Sequence, residues 1–128
     1  MKNHLWNMFA NIRNGQLVKR AFILQSKKKI CEAFLSILWD EGFILGYKVL
    51  KTDLSMLKIF LKYKNGKPVI HSLKVISKPG HRVYYSAKQL WKINSKNSLI
   101  IVSTNKGLFS LVECKKLKLG GEPFLVIN

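Results

Sequence analysis

Carboxylates are what this sequence has least of: Asp and Glu together number 6 in 128 residues, against 23 Lys and Arg, for a formal net charge of +17. The shortage is also local. Between Asp53 and Glu113 lie 59 residues without a carboxylate, and they hold 11 Lys or Arg. That arithmetic argues against a carboxylate-dependent hydrolase. Asp40 and Glu41, the only adjacent acids, fall at the end of an expected helix, where solvated side chains are the ordinary outcome. Cysteine is equally scarce. Cys31 and Cys114 stand 83 residues apart, too few and too distant to imply a disulfide framework, and both read as small buried apolar residues. His4, His71 and His81 have no metal-ligand spacing with either cysteine. There is no nucleophile elbow and no phosphate-cradling P-loop. No enzyme activity, cofactor, metal or small-molecule substrate is therefore expected. The longest apolar run, Ala33-Phe34-Leu35-Ser36-Ile37-Leu38-Trp39, is far short of the about 20 residues that span a bilayer. Met1 to Leu5 lack an Arg- and Ser-rich leader, so an organelle address is expected to be either removed or unneeded.

What is present is a core and a surplus of cations. Hydrophobic residues make up 48% of the chain, which excludes a disordered polycation and supports one compact domain or two small ones. The charge is not a tail: residues 1–64 carry 12 cations and 4 acids, residues 65–128 carry 11 and 2. Folded surfaces this basic call for a polyanion, either nucleic acid, through counterion release, or acidic lipid. Against lipid, the cations are spread over expected strands and loops instead of lining one face of an amphipathic helix.

Leu5, Met8, Phe9 and Ile12 predict a first helix over 5–14 with Gly15 as its stop, followed by a strand over 17–24. Ser26 is the expected N-cap of a second helix whose apolar stripe is Ile30, Ala33, Phe34, Ile37 and Leu38, ended by Gly42. Lys27, Lys28 and Lys29 would then sit in its first turn, opposing the helix dipole unless a phosphate binds there; a merely solvated lysine run is the other reading. Strands are expected over 43–50 and 54–63. Asn65-Gly66 followed by Pro68 marks a turn and a boundary. The second half reads as strands over 69–76, 82–85, 99–104 and 124–127, with a short helix over 111–117 and a break at Gly120-Gly121. The fold class is thus α+β, an N-terminal α-β-α-β-β domain (1–64) before a mainly antiparallel C-terminal β domain (65–128) with a short helix.

Two loops of the acid-free half suit RNA. Ser77-Lys78-Pro79-Gly80-His81-Arg82-Val83-Tyr84 sets Lys78 and Arg82 about a rigid Pro79-Gly80 turn, with Tyr84 free either to stack on a base or to join the core of a plain surface hairpin. Ser103-Thr104-Asn105-Lys106-Gly107 follows an apolar strand. Its short hydroxyl and amide side chains can bond base edges and 2′-hydroxyls, with Lys106 on the backbone, though alone it is also an ordinary turn.

At these residues the chain resembles the universal family of the eighth small-subunit ribosomal protein, over about Leu5 to Ile127. The markers, in order, are Ile12-Arg13-Asn14, Ser26-Lys27, Glu41-Gly42-Phe43-Ile44, Ser77-Lys78-Pro79-Gly80 with Arg82-Val83-Tyr84, Ser103-Thr104 with Lys106-Gly107, and Gly120-Gly121-Glu122. The resemblance implies a two-domain structural protein that binds the central domain of small-subunit ribosomal RNA, clamping an irregular helix with unpaired bases and supporting assembly. It implies that the loop matched by Ser103, Thr104 and Gly107 reads bases and riboses. It sets Lys78 to Tyr84 alongside, and Arg13, Asn14, Ser26 and Lys27 on the RNA backbone. The neighbours implied are the fifth small-subunit protein and, after it, the second and the seventeenth.

The chain also departs from the family pattern. Asn11 stands where an Arg is usual, and Lys96-Asn97-Ser98-Leu99-Ile100 replaces a glycine-rich segment. Phe109-Ser110-Leu111 replaces Met-Thr-Asp, leaving Ser110 as the expected helix cap. This drift and an abundance of Lys, Ile and Asn resemble organelle proteins. A mitochondrial ribosome is the expected setting, with a plastid or a bacterial cytoplasm as alternatives.

Overall fold

The structure, a computed structural model, describes residues 2–75, 84–92 and 98–128. It is α+β, as expected, and forms two compact units, Met1–Ile70 and His71–Asn128.

In the first unit, α1 (Lys2–Leu17), β1 (Phe22–Ser26), α2 (Lys29–Asp40), β2 (Ile44–Val49) and β3 (Met56–Leu61) build a three-stranded antiparallel sheet in the order β1-β3-β2 with two helices packed on one face. The strands alternate strictly: Ile23 and Gln25 on β1 and Leu57, Ile59 and Leu61 on β3 point into the core. Met8 and Ile12 of α1 and Phe34, Leu35 and Leu38 of α2 meet them, and Phe9 packs edge-on against Phe34 at 5.6 Å between centroids. Each large apolar side chain so buried contributes about 1.5–3 kcal/mol. The Asn65-Gly66 turn closes a short hairpin of β4 (Tyr63–Lys64) and β5 (Lys67–Pro68), which belongs to this unit.

Four expectations for this unit are corrected. Gly15 does not stop α1; it lies inside the helix, where a Cβ would come within 2.6 Å of Ile23 Cγ2, so the glycine lets helix and strand approach. The helix stops at Lys19, in the left-handed region (φ 55°), with Arg20 N–H donating to the Gly15 carbonyl and Lys19 N–H to that of Gln16. The strand expected over 17–24 is accordingly displaced to Phe22–Ser26. Ser26 is not the cap of α2: it ends β1, and Lys28 holds the N-cap backbone position without any side-chain cap. The buried stripe of α2 is Cys31, Phe34, Leu35 and Leu38, with Ala33 exposed, and the helix begins at Lys29, two residues after the start that a Ser26 cap implied. Gly42 (φ 79°) does end α2: its N–H meets the Trp39 carbonyl and that of Phe43 the Leu38 carbonyl.

The second unit holds β6 (Leu73–Val75), α3 (Ala87–Trp91), β7 (Leu99–Thr104), β8 (Gly107–Ser110), α4 (Leu111–Leu117) and β9 (Glu122–Ile127), with a four-stranded antiparallel sheet in the order β6-β9-β7-β8. Leu90 of α3, Val102 of β7, and Leu111 and Cys114 of α4 form a buried cluster, flanked by Tyr85, Ile100 and Phe109. Ser110 caps α4, its hydroxyl accepting from Glu113 N–H at 3.3 Å, the cap expected from the sequence. Two elements were not expected, α3 and β8. The first starts on a capping box, Ser86 and Gln89 each bonding the other's backbone N–H, which the Ser-x-x-Gln pattern encodes. The strand expected over 82–85 survives, within the described residues, as a single bridge from Tyr85 to Gly121. Among the described residues no helix is long and apolar enough to cross a membrane.

Candidate nucleic-acid interface

The hairpin of β7 and β8 turns through two residues, Asn105 and Lys106, with Thr104 opposite Gly107 and Ser103 opposite Leu108. Thr104 braces it from inside: its hydroxyl donates to the Gly107 carbonyl at 2.8 Å and accepts from the Lys106 N–H at 3.2 Å. Gly107 takes φ 122°, a conformation L side chains avoid, so the tight turn depends on it. Asn105 and Lys106 are exposed at the tip, and Ser103 and Thr104 are half-buried on the strand behind them. Such a tip offers hydroxyl, amide and ammonium groups on a rigid support, the functional groups that read unpaired bases and riboses.

Gly121 seats this hairpin. A Cβ there would stand 2.6 Å from the Ser103 carbonyl and 3.0 Å from Thr104 Cγ2, so β9 can start this close to Ser103 and Thr104 only with glycine. Gly121 also exchanges two backbone hydrogen bonds with Tyr85, both 2.8 Å, and a Cβ on Gly120 would meet the Tyr85 carbonyl at 2.7 Å. The break expected at Gly120-Gly121 is thus a clasp between Tyr85 and the Ser103-Thr104 strand end. It brings Tyr84, 70% exposed, to the same region as the hairpin, so Tyr84 is not a core residue. Reading the two glycines only as punctuation missed this; their pairing next to a hydroxyl-bearing strand is the signal. The fold adds one acid to the region: Glu122, half-buried, is the register partner of Ser103. Lys78, Pro79, Gly80 and Arg82 lie outside the described residues.

The first-unit candidates lie late in α1 and at the end of β1. Arg13 and Asn14 are exposed late in α1, and Asn14 borders a depression of about 290 Å³ with Asn11, Gly15, Val18, Arg20 and Ile23. Asn11 ties α1 to β1, its Nδ2 donating to the Leu24 carbonyl at 2.7 Å and to Gln25 Oε1 at 3.1 Å. Ser26 and Lys27 are exposed at the other end of the strand, three to four residues or roughly 10 Å beyond Ile23. The Lys27 N–H is held by the Ser55 carbonyl at 2.8 Å. Arg13-Asn14 and Ser26-Lys27 are therefore not brought together in the first unit. Neither cysteine is a site: both are buried, and burial pushes both thiols above their ordinary pKa, away from the reactive thiolate. No cluster of potential metal ligands occurs among the described residues.

The chain is similar to known proteins along almost its whole length. Residues 3–127 match the family described as ribosomal protein S8. The chain is 38% identical over 122 residues to the small ribosomal subunit protein uS8 of Alcanivorax borkumensis, covering 95% of this chain and 94% of that one. It is 41% identical over 118 residues to the uS8 of Ehrlichia canis, covering 91% and 89%. To the uS8 of Buchnera aphidicola it is 35% identical over 122 residues, covering 95% and 94%. All three relatives are bacterial. A match along almost the whole chain, at these identities, establishes that the protein belongs to the ribosomal protein S8 family, a family of structural proteins and not of enzymes.

Proposed function

We propose that this protein, a structural constituent of the small ribosomal subunit, binds the central domain of small-subunit ribosomal RNA directly and supports its assembly. The observation that carries this reading is the clasped hairpin: Ser103, Thr104, Asn105 and Lys106 presented on a tip braced by Thr104 and locked to Tyr85 through Gly121. In this reading the second unit makes the closest contacts. Ser103, Thr104 and Asn105 meet bases and riboses, Lys106 and the Lys78, Pro79, Gly80 and Arg82 segment meet phosphates, and Tyr84 stacks on an unpaired base. Arg13, Asn14, Ser26 and Lys27 touch the RNA backbone from the first unit. The fifth small-subunit protein is the first expected neighbour, then the second and the seventeenth. A mitochondrial ribosome is the proposed setting, on the Lys-, Ile- and Asn-rich composition; immunodetection in purified organelles against cytosol tests it, and absence from mitochondria overturns it.

The test of the interface is a set of alanine variants titrated against a folded central-domain fragment. Ser103→Ala and Thr104→Ala lose specific affinity, while Lys78→Ala and Arg82→Ala weaken all RNAs alike and flatten the salt slope. Unchanged binding by the hairpin variants contradicts the assignment. Binding of the protein to anionic vesicles at physiological salt, with none to the RNA, would favour a membrane surface instead.

A further inference from the structure

The sheet of the first unit has a second face, opposite its helices. On β1 the outward residues Phe22 and Leu24 are 42% and 44% exposed. The register sets Phe22 beside Phe60 and Leu24 beside Lys58 on β3, with Lys48 of β2 on the far side of Lys58. A sheet face turned to water ordinarily carries polar side chains, so an exposed Phe22 at the start of the edge strand β1, beside a half-buried Phe60 on the central strand, needs another reason. The rings do not stack on each other: their centroids are 6.5 Å apart with planes at 58°. They are covered by ammonium groups, Lys58 Nζ at 4.0 Å from the Phe22 centroid and 5.3 Å from that of Phe60, and Lys48 Nζ at 5.8 Å from Phe60. None of the three strands contains a carboxylate, so neither lysine has an acid on this sheet to pair with.

We infer that this face is a second RNA-binding surface, a platform on which Phe22 and Phe60 stack unpaired bases of single-stranded RNA while Lys48 and Lys58 hold the adjoining phosphates. It is independent of the β7–β8 hairpin. Rings and ammonium groups alternate at neighbouring positions, which suits a ligand whose planar apolar parts and anionic parts alternate along its length. Stacking on sheet-borne aromatics, with basic residues tracking the backbone, is a general mode of single-strand recognition. The lysines over the rings are a resting arrangement. An exposed cation–ring contact is weak, and a phosphate draws the ammonium aside and frees the ring.

The experiment uses the full chain and a 5-bromouridine-substituted oligouridine of about a dozen nucleotides, a length within the span such sites occupy. Binding is read by fluorescence anisotropy and the contact by ultraviolet cross-linking and peptide mapping. Phe22→Leu/Phe60→Leu lowers affinity roughly 5- to 150-fold for each stacked base lost. Phe22→Tyr/Phe60→Tyr, which keeps both rings, restores it, and the cross-links map to β1 and β3. Lys58→Gln reduces the salt dependence by about one phosphate contact. Should the double leucine variant fail to fold by thermal melting, Phe22→Leu alone, at a well exposed position, serves the same purpose. Undiminished binding by the folded leucine variants overturns the inference. So do cross-links confined to the β7–β8 hairpin, or cross-linking of Phe22 to a protein, not RNA, in the assembled subunit. Failure here and failure of the hairpin reading are distinguishable. Thr104→Ala leaves oligouridine binding intact while weakening the folded central-domain fragment, and the sheet variants do the reverse.

Discussion

Thr104 is the residue on which the hairpin turns. Its hydroxyl is donor to Gly107 and acceptor from Lys106 at once, so Thr104→Ala frees two backbone groups at the tip and removes a candidate RNA contact. At about 0.5–1.5 kcal/mol per hydrogen bond, the variant loses roughly tenfold in affinity for the cognate RNA, and Thr104→Ser, which keeps the hydroxyl, retains most of it. Equilibrium titration of the two variants side by side checks this. A second residue-scale prediction concerns acid. The Ser55 hydroxyl and amide, 2.5 and 3.0 Å from Asp53 Oδ1, hold this carboxyl below its ordinary value of 3.8. A depressed carboxyl stabilises the fold above the unfolded pKa, and that contribution disappears as pH falls through the native pKa. In a carboxyl-carbon NMR titration, Ser55→Ala therefore returns Asp53 upward toward 3.8; an unmoved titration would contradict the hydrogen-bond cause.

Among the elements, α1 shows best how far the sequence can be read. Its apolar spacing identifies a helix correctly, yet Gly15, a natural stop signal, is spent on the approach to Ile23, and the stop falls on Lys19. The distinction depends on what lies across from the glycine, which periodicity does not carry. Gly15→Ala should thus destabilise by about 1–3 kcal/mol through overpacking, although alanine is the better helix former by about 1 kcal/mol. Conversely, Lys19 and Lys118 hold left-handed helix ends at φ 55° and 56°. Replacing either with glycine should stabilise by up to about 1 kcal/mol, since the strain relieved exceeds the entropy added. Urea unfolding of the three variants tests both signs together, and a stabilised Gly15→Ala protein would refute the packing argument. Other elements were legible for simple reasons. Strict alternation marks β3, the run Leu99 to Val102 marks β7, and Ser110 marks the start of α4. β8 was hidden because Gly107-Leu108-Phe109-Ser110 is short and owes its strand form to pairing with β7. Of the candidate site, the hairpin residues stood out by type, whereas the clasp through Gly121 became visible only with Tyr85 and Ser103 side by side.

For the whole molecule, the defining quantity is a charge of +17 borne by two small cores. Self-repulsion on that scale costs stability in the free protein, so added salt should raise its melting temperature while lowering its affinity for RNA. A melting temperature that falls with salt would show that attractive pairs outweigh repulsion. Charge alone, however, cannot give a binding site; that depends on the rigid hairpin and what it reads. The most direct test is a titration of the full chain, at several salt concentrations, against a central-domain fragment of small-subunit ribosomal RNA and a scrambled duplex of equal length. The account predicts a preference of roughly 10³-fold or more for the folded fragment, persisting at moderate salt, as in specific nucleic-acid complexes. Equal affinity for both RNAs, lost steeply and in parallel as salt rises, would contradict it and leave a polycation without a reading surface.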